Sequence, residues 1–384
     1  MELFIFSDIE KDATIKAILE KDSVPLLRGI VNFAETEGVT DSSIREYVVT
    51  LLANDENVVS GICRAQKTVG ENLKNFAKLD TELIYKKLLS TAAVKYTPSG
   101  NDTGFYEGYV RSIREITAAK DADQLLDRLM HHYRTLGCGL LSKYIAYRYD
   151  GKELCGIPNF DKTVFDDMVG LERQKAVLRE NTQAFLDGGF ANNVMLFGDR
   201  GTGKSSSVKA LLNEYAAQGL RVIEVPKSAI TKIPDLTRIL EQSPHKYILF
   251  LDDLTFERHD TEYRSLKIAM EGQLSAVAGN VLVYATSNRR HLIRETWADR
   301  DGGEVHANDN KQEMLSLAER FGINLYFPAP DAKEYLEIIR VLLERNGIEM
   351  NDEIKQEAMR KQMRIGGKSG RCARQFVAEY LQRN

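Results

Sequence analysis

Eight residues constrain this chain more than any others: Gly198-Asp199-Arg200-Gly201-Thr202-Gly203-Lys204-Ser205. They fit the phosphate-loop pattern without a mismatch. The run follows an apolar stretch at 193–197 and opens a segment in which Ala210, Leu211 and Tyr215 recur at helical spacing. A strand, a glycine turn and a helix in that order let backbone N–H groups converge on an anion, and the helix N-terminus adds its positive end. In such a loop Lys204 reaches the β- and γ-phosphates of a nucleotide, and the Ser205 hydroxyl ligates Mg2+. At average glycine usage a chance match somewhere in the chain has a probability on the order of one per cent. A glycine turn without a ligand is therefore the poorer reading.

A second element lies one βα unit further on, where the apolar run 247–251 ends in Asp252-Asp253. Buried parallel strands seldom end in two adjacent carboxylates unless something cationic faces them. In that setting Asp252 holds the Mg2+ shell and Asp253 orients the attacking water. A third apolar run, 281–285, ends in Thr286-Ser287-Asn288. Its amide sits where parallel sheets bind ligands, although turn chemistry explains Ser-Asn equally well in isolation.

Around these motifs the pattern is that of an α/β core. Short apolar runs at 194–197, 222–225, 247–251, 281–285 and 324–327 alternate with helical stretches, which predicts a parallel sheet covered on both faces. From Asp331 the chain returns to helices, with Tyr335, Leu336, Ile339 and Leu343 in one stripe and a last helix near 371–381. Residues 11–149 read as a helical bundle. Leu125, Leu126, Leu129, Met130, Tyr133 and Leu136 form a stripe that Asp121 caps, with Gln124 three residues on, and that Gly137 ends. A further helix runs through Leu73, Phe76, Ala77, Leu83, Ile84 and Leu88 with a break expected near Asp80-Thr81, and 97–102 is a loop. Gly151, Gly156 and Pro158 mark a boundary. The expected organisation is a separate all-helical N-terminal domain (1–150), a P-loop α/β core (151–328) and a helical lid (329–384).

Composition narrows the function classes. Apolar residues make up 43% and charged residues 28%, as in a folded chain, and a net charge of −4 leaves no sequence-wide electrostatic footprint for nucleic acid or an anionic membrane. No apolar run approaches the roughly 18 residues needed to cross a bilayer, and residues 1–10 lack the basic start of a secretory signal. Cys63, Cys138, Cys155 and Cys372 are scattered, as reduced thiols of a cytoplasmic protein would be. The histidines are dispersed apart from His131-His132, whose side chains diverge on a helix, so no His/Cys metal site is expected. The stretch 143–149 mixes bases and tyrosines, and a packed helix face is preferred there to a single-strand-binding surface. Residues 355–384 carry eight Lys/Arg against Glu357 and Glu379. A solvated face that partly serves nucleotide sensing is preferred to a nucleic-acid surface.

The order of these elements resembles the AAA+ ATPases over 165–384. The phosphate loop resembles their Walker A, Asp252-Asp253 their Walker B, and Asn288 their sensor 1. Residues 165–174 are similar to the segment that packs on adenine through the backbone near Val169-Gly170. Glu319-Arg320-Phe321-Gly322 looks like the arginine-finger stretch of branch-migration motors, and Ser369-Gly370-Arg371 resembles sensor 2. Stretches 192–206 and 284–292 look like one bacterial AAA+ family catalogued only as a domain of unknown function. The resemblance implies ATP and Mg2+ as ligands. Val169, Gly170, Gly198 through Ser206 and Arg371 would bind the nucleotide, and Ser205 and Asp252 the metal. Lys204, Asp253, Asn288 and Arg320 would act in catalysis.

It also implies a homo-oligomer in which one subunit completes the next one's site. Two departures bear on function. Most AAA+ proteins have Asp-Glu where this chain has Asp252-Asp253; the shorter acid is similar to replication-initiator and helicase-loader ATPases and implies slower turnover. Residues 226–233 contain no aromatic, which argues against peptide threading. The stretch 294–311, with Trp297, reads as a polar insertion on the surface. The leading expectation is an ATP-driven remodelling or loading factor that engages a protein partner through residues 1–150. The alternatives are an initiator or loader acting on nucleic acid and a slow ATP-dependent switch.

Overall fold

Apolar stripes at helical spacing build much of residues 13–143 into helices, eight of them among the described residues. The computed structural model describes residues 2–39, 43–90, 96, 103–256, 261–271, 279–288, 320–365 and 368–383. The expected loop at 97–102 and insertion at 294–311 lie outside the described residues. Two compact units emerge: Met1–Arg148 with Leu154–Phe160 and Arg238–Lys246, and Tyr149–Glu153 with Asp161–Thr237 and Tyr247–Asn384.

In the first unit the helices are α1 (Ala13–Glu20), α2 (Ser23–Thr36), α3 (Ser43–Asn54), α4 (Val58–Arg64), α5 (Glu71–Ile84), α6 (Glu107–Thr117), α7 (Ala122–Thr135) and α8 (Leu140–Lys143). Side-chain caps start several of them. Asp12 accepts from Thr14 and Ile15 N–H, Asn57 and Ser60 form a reciprocal box, and Asp121 accepts from Gln124 N–H. Ile15, Val48, Val49, Leu52, Leu125, Leu129 and Tyr133 are fully buried in one core.

The expected break at Asp80-Thr81 does not occur, and α5 passes straight through it. Asp80 points inward instead, 1% exposed, and accepts the N–H groups of Phe4, Ile5 and Phe6 at 2.9, 2.6 and 3.1 Å. Its polarity is satisfied from a segment more than seventy residues away.

The unit is also not all-helical. After α8 the chain forms β1 (Ala146–Tyr149) and β2 (Leu154–Gly156), neighbours in a sheet. The preferred helix face over 143–149 is thereby corrected: Ala146, Tyr147 and Tyr149 are buried in a strand, with Arg148 exposed. Tyrosine fits a half-buried pleated surface, and the Tyr147 hydroxyl donates to the carbonyls of Leu141 and Tyr144.

The second unit begins with α9 (Glu172–Leu186), followed by β3 (Val194–Gly198), α10 (Lys204–Tyr215), β4 (Leu220–Glu224), α11 (Ile233–Leu240), β5 (Lys246–Leu251), α12 (Thr261–Glu271), β6 (Val281–Ser287) and β7 (Ile323–Phe327). The strands lie in the order β4-β5-β6-β3-β7. β5, β6, β3 and β7 run parallel, with Leu251 opposite Ala285, Phe197 opposite Ser287, and Gly198 opposite Phe327. This register brings the carboxyl ends of β3, β5 and β6 to one edge, so the loops that follow them leave side by side. Helices α13 (Ala332–Glu344), α14 (Asp352–Ile365) and α15 (Gly370–Arg383) make a lid with its own core of Tyr335, Ile339, Leu343, Ile354, Phe376 and Val377. The α/β core with a parallel sheet and the helical lid agree with the AAA+ resemblance over 165–384, and the N-terminal region is mainly helical, as expected.

Candidate functional site

The glycines of the loop after β3 are there for steric reasons. Gly198 has φ 143°, and a Cβ on it would lie 2.1 Å from the Phe327 carbonyl oxygen of the neighbouring strand. Gly203, at φ 101°, is the N-cap of α10 and offers no side-chain acceptor. The first N–H groups of that helix are thus left for an anion. Lys204 is 6% exposed, and its ammonium donates to the carbonyls of Gly198 (2.8 Å) and Asp199 (2.7 Å) and to Asn288 Oδ1 (3.3 Å). Burial pushes Lys204 below its ordinary pKa, opposed by the carboxylates of Asp199, Asp252 and Asp253. An arriving polyphosphate would bring further negative charge, which favours the protonated ammonium that burial disfavours.

The acids after β5 are tied into the same network. Asp252 Oδ1 accepts the Ser205 hydroxyl at 2.7 Å and the Thr286 hydroxyl at 2.5 Å. Asp253 sits in the left-handed region at φ 51°, its N–H donating to Thr286 Oγ1 at 2.8 Å. Its Oδ1 accepts the Asn288 amide at 2.5 Å. Both carboxylates are exposed, and with Lys204, Ser205, Ser206, Arg200 and Asn288 they line a cavity of about 710 Å³. Arg371 and Arg374 of α15 complete it.

A second cavity of about 280 Å³ lies beside it, lined by Met168, Val169, Gly170, Leu171, Thr202, Pro328, Pro330, Glu334, Ile338 and Leu342. Gly201, Gly203 and Arg374 line both. A mostly apolar slot next to a polar, cationic one suits a nucleotide, base in the first and phosphates in the second. The lid helix is tied to the loop by a hydrogen bond from Gly370 N–H to the Gly201 carbonyl, 3.0 Å. Among the described residues no group of three or more His, Cys, Asp or Glu could hold a metal. The pair Ser205 and Asp252 fits Mg2+ in its usual role, bound through one or two carboxylates plus substrate phosphates.

Of the residues named from sequence, Gly198 and Asp199 take part through their carbonyls and do not line either cavity. Arg320 is exposed, precedes β7 beside the buried Phe321, and is not among the lining residues. The contributors that escaped the sequence reading as site residues include Arg374, Thr286 and Glu334. Arg374 follows Arg371 by three positions on one helix, a spacing that places both on one face. Thr286 precedes Asn288 by two, the period of a strand. Glu334 was hidden as an ordinary helix-start acid, and it does also close a capping box with Asp331.

Residues 142–384 match a family described as "Protein of unknown function (DUF815)". A search of curated proteins finds no match. Among solved structures the chain is similar to the Thermotoga maritima RuvB Holliday junction branch migration motor, at 17% identity and a TM-score of 0.35, covering 56% of this chain and 71% of that one. A point mutant of the same RuvB gives 16% identity and 0.37 over the same shares.

Proposed function

The chain belongs to the DUF815 family of proteins of unknown function, and from its site we propose that it is an AAA+ ATPase that binds Mg-ATP and hydrolyses it. The observation that carries this reading is the bonded set Lys204, Ser205, Asp252, Asp253 and Asn288 at one edge of the sheet. Such a set brings an ammonium, a hydroxyl and two carboxylates to the mouth of a glycine loop. Lys204 would neutralise the β- and γ-phosphates. Ser205 and Asp252 would hold Mg2+, which offsets phosphate charge when bound. Asp253, fixed by Asn288, would orient the water in line with the γ-phosphate, and Arg371 with Arg374 would meet the charge from the lid side. Val169 and Gly170 border the slot for the base.

The biological output we propose is remodelling or loading of a protein partner engaged by residues 1–150, from a homo-oligomer. The charge at the C-terminus supports this over a nucleic-acid surface. Arg371 and Arg374 face the phosphate cavity, while Lys355, Lys361 and Arg383 pair with Asp352, Glu379 and Glu357.

Calorimetry and steady-state turnover test the site. Lys204→Ala is expected to abolish ATP binding, Asp253→Asn to bind Mg-ATP but turn over about 10²-fold or more slowly, and Asp252→Asn to raise the Mg2+ requirement first. Wild-type affinity in Lys204→Ala would remove the loop from the reading.

A further inference from the structure

Thr286 is 1% exposed, and its single hydroxyl has two partners at the mouth of the site. It donates to Asp252 Oδ1 at 2.5 Å and accepts from Asp253 N–H at 2.8 Å. A hydroxyl has one proton, so these roles are compatible only in this sense: the proton goes to the carboxylate and a lone pair faces the amide. One side chain on β6 thereby fixes both acids that follow β5. The Thr286 carbonyl adds a third tie, accepting Leu254 N–H at 2.7 Å.

We propose that Thr286 is a positioning residue that sets the two acids for the metal and the water; this rests on the ATPase reading above. Asp252 Oδ1 receives both the Ser205 and the Thr286 hydroxyls. With two O–H donors on Oδ1, Asp252 would hold the metal from a fixed orientation. The two donors hold the carboxylate plane, which one donor would leave free to rotate. At Asp253 the backbone is in the left-handed region, which a non-glycine residue keeps only where its surroundings hold it there. The bond to Thr286 Oγ1 restrains the main chain, and Asn288 restrains the side chain. Neither strand provides this alone; the parallel pairing of β5 and β6 does.

Thr286→Val keeps the side-chain shape and removes the hydroxyl. Isothermal titration of ATP with and without Mg2+ then separates positioning from packing. In Thr286→Val the Mg2+-free affinity is expected to stay within about 3-fold of wild type. The gain in affinity on adding Mg2+ is expected to fall by about 10- to 100-fold, the loss of one charge-assisted bond. Thr286→Ser, which restores the hydroxyl, is expected to recover most of that gain. If Thr286→Val keeps the full Mg2+ gain and loses only melting temperature, the residue is structural and the proposal fails. If the wild-type protein itself binds no ATP, the ATPase reading fails first, in an arm that contains no variant.

Discussion

His132 illustrates what a single residue costs the first unit. Its ring is fully buried in the helical core, with Nδ1 2.8 Å from the Ser112 hydroxyl. Burial, helped by the neighbouring His131, holds it down at about 3 against an ordinary value of 6.5. The folded pKa is below the unfolded one, so the unfolded chain binds the proton more tightly. Stability is therefore complete above about 6.5 and is lost as pH falls toward 3, by up to roughly 4–5 kcal/mol. His132→Phe, which keeps a ring and cannot titrate, is expected to flatten the fall in denaturation free energy between those pH values. Parallel curves for the two proteins would assign acid lability to the carboxylates instead. Lys204 is also buried away from its ordinary pKa, but at the site, where phosphate would stabilise its charge.

At the scale of elements, the junction of β3, β7 and the phosphate loop is held by close backbone approach. Gly198 and Gly188 both have positive φ, 143° and 74°, yet only Gly198 has a neighbour in the way, the Phe327 carbonyl. Gly188→Ala is expected to cost about 1–2 kcal/mol of left-handed strain. Gly198→Ala must in addition push β3 and β7 away from each other, and a loss of about 4 kcal/mol or more is expected, with nucleotide binding lost as well. Thermal shift with and without ATP compares them. Equal losses would mean that strain alone, and no steric contact, makes Gly198 necessary.

For the whole molecule, a cut near 150 is not a clean division. Segments 154–160 and 238–246 belong to the first unit, where His245 Nε2 lies 2.9 Å from the Leu136 carbonyl. Assembly brings in Arg320, which we propose acts on ATP held by a neighbouring subunit, since it is exposed and lines neither of the two cavities described above. A planar donor fork added in trans is worth about 10³–10⁵ in rate in GTPases. Arg320→Ala is expected to bind ATP normally and be nearly inactive alone. Mixed with Lys204→Ala, whose arginine is intact, it should regain some of the activity. Loss without recovery in a mixture shown to co-assemble would place the arginine's role within one subunit.

Local chemistry explains how much of this was readable. The eight-residue loop, the strand-end acids, the alternation of apolar runs with helices, and the Asp121 cap are contiguous patterns, and contiguous patterns survive in sequence. Three features do not. Asp80 reads as a helix break because its partners, the N–H groups of Phe4 to Phe6, come from a distant stretch of the chain. Residues 146–149 read as helix because four residues are too few to reveal a strand's period. Thr286 reads only as the residue that ends an apolar run because its role exists only once β6 lies beside β5. The sequence determined which groups are present and the period of each element. Tertiary structure decided which groups meet, because hydrogen bonds and burial join residues by distance in space, whatever their separation along the chain.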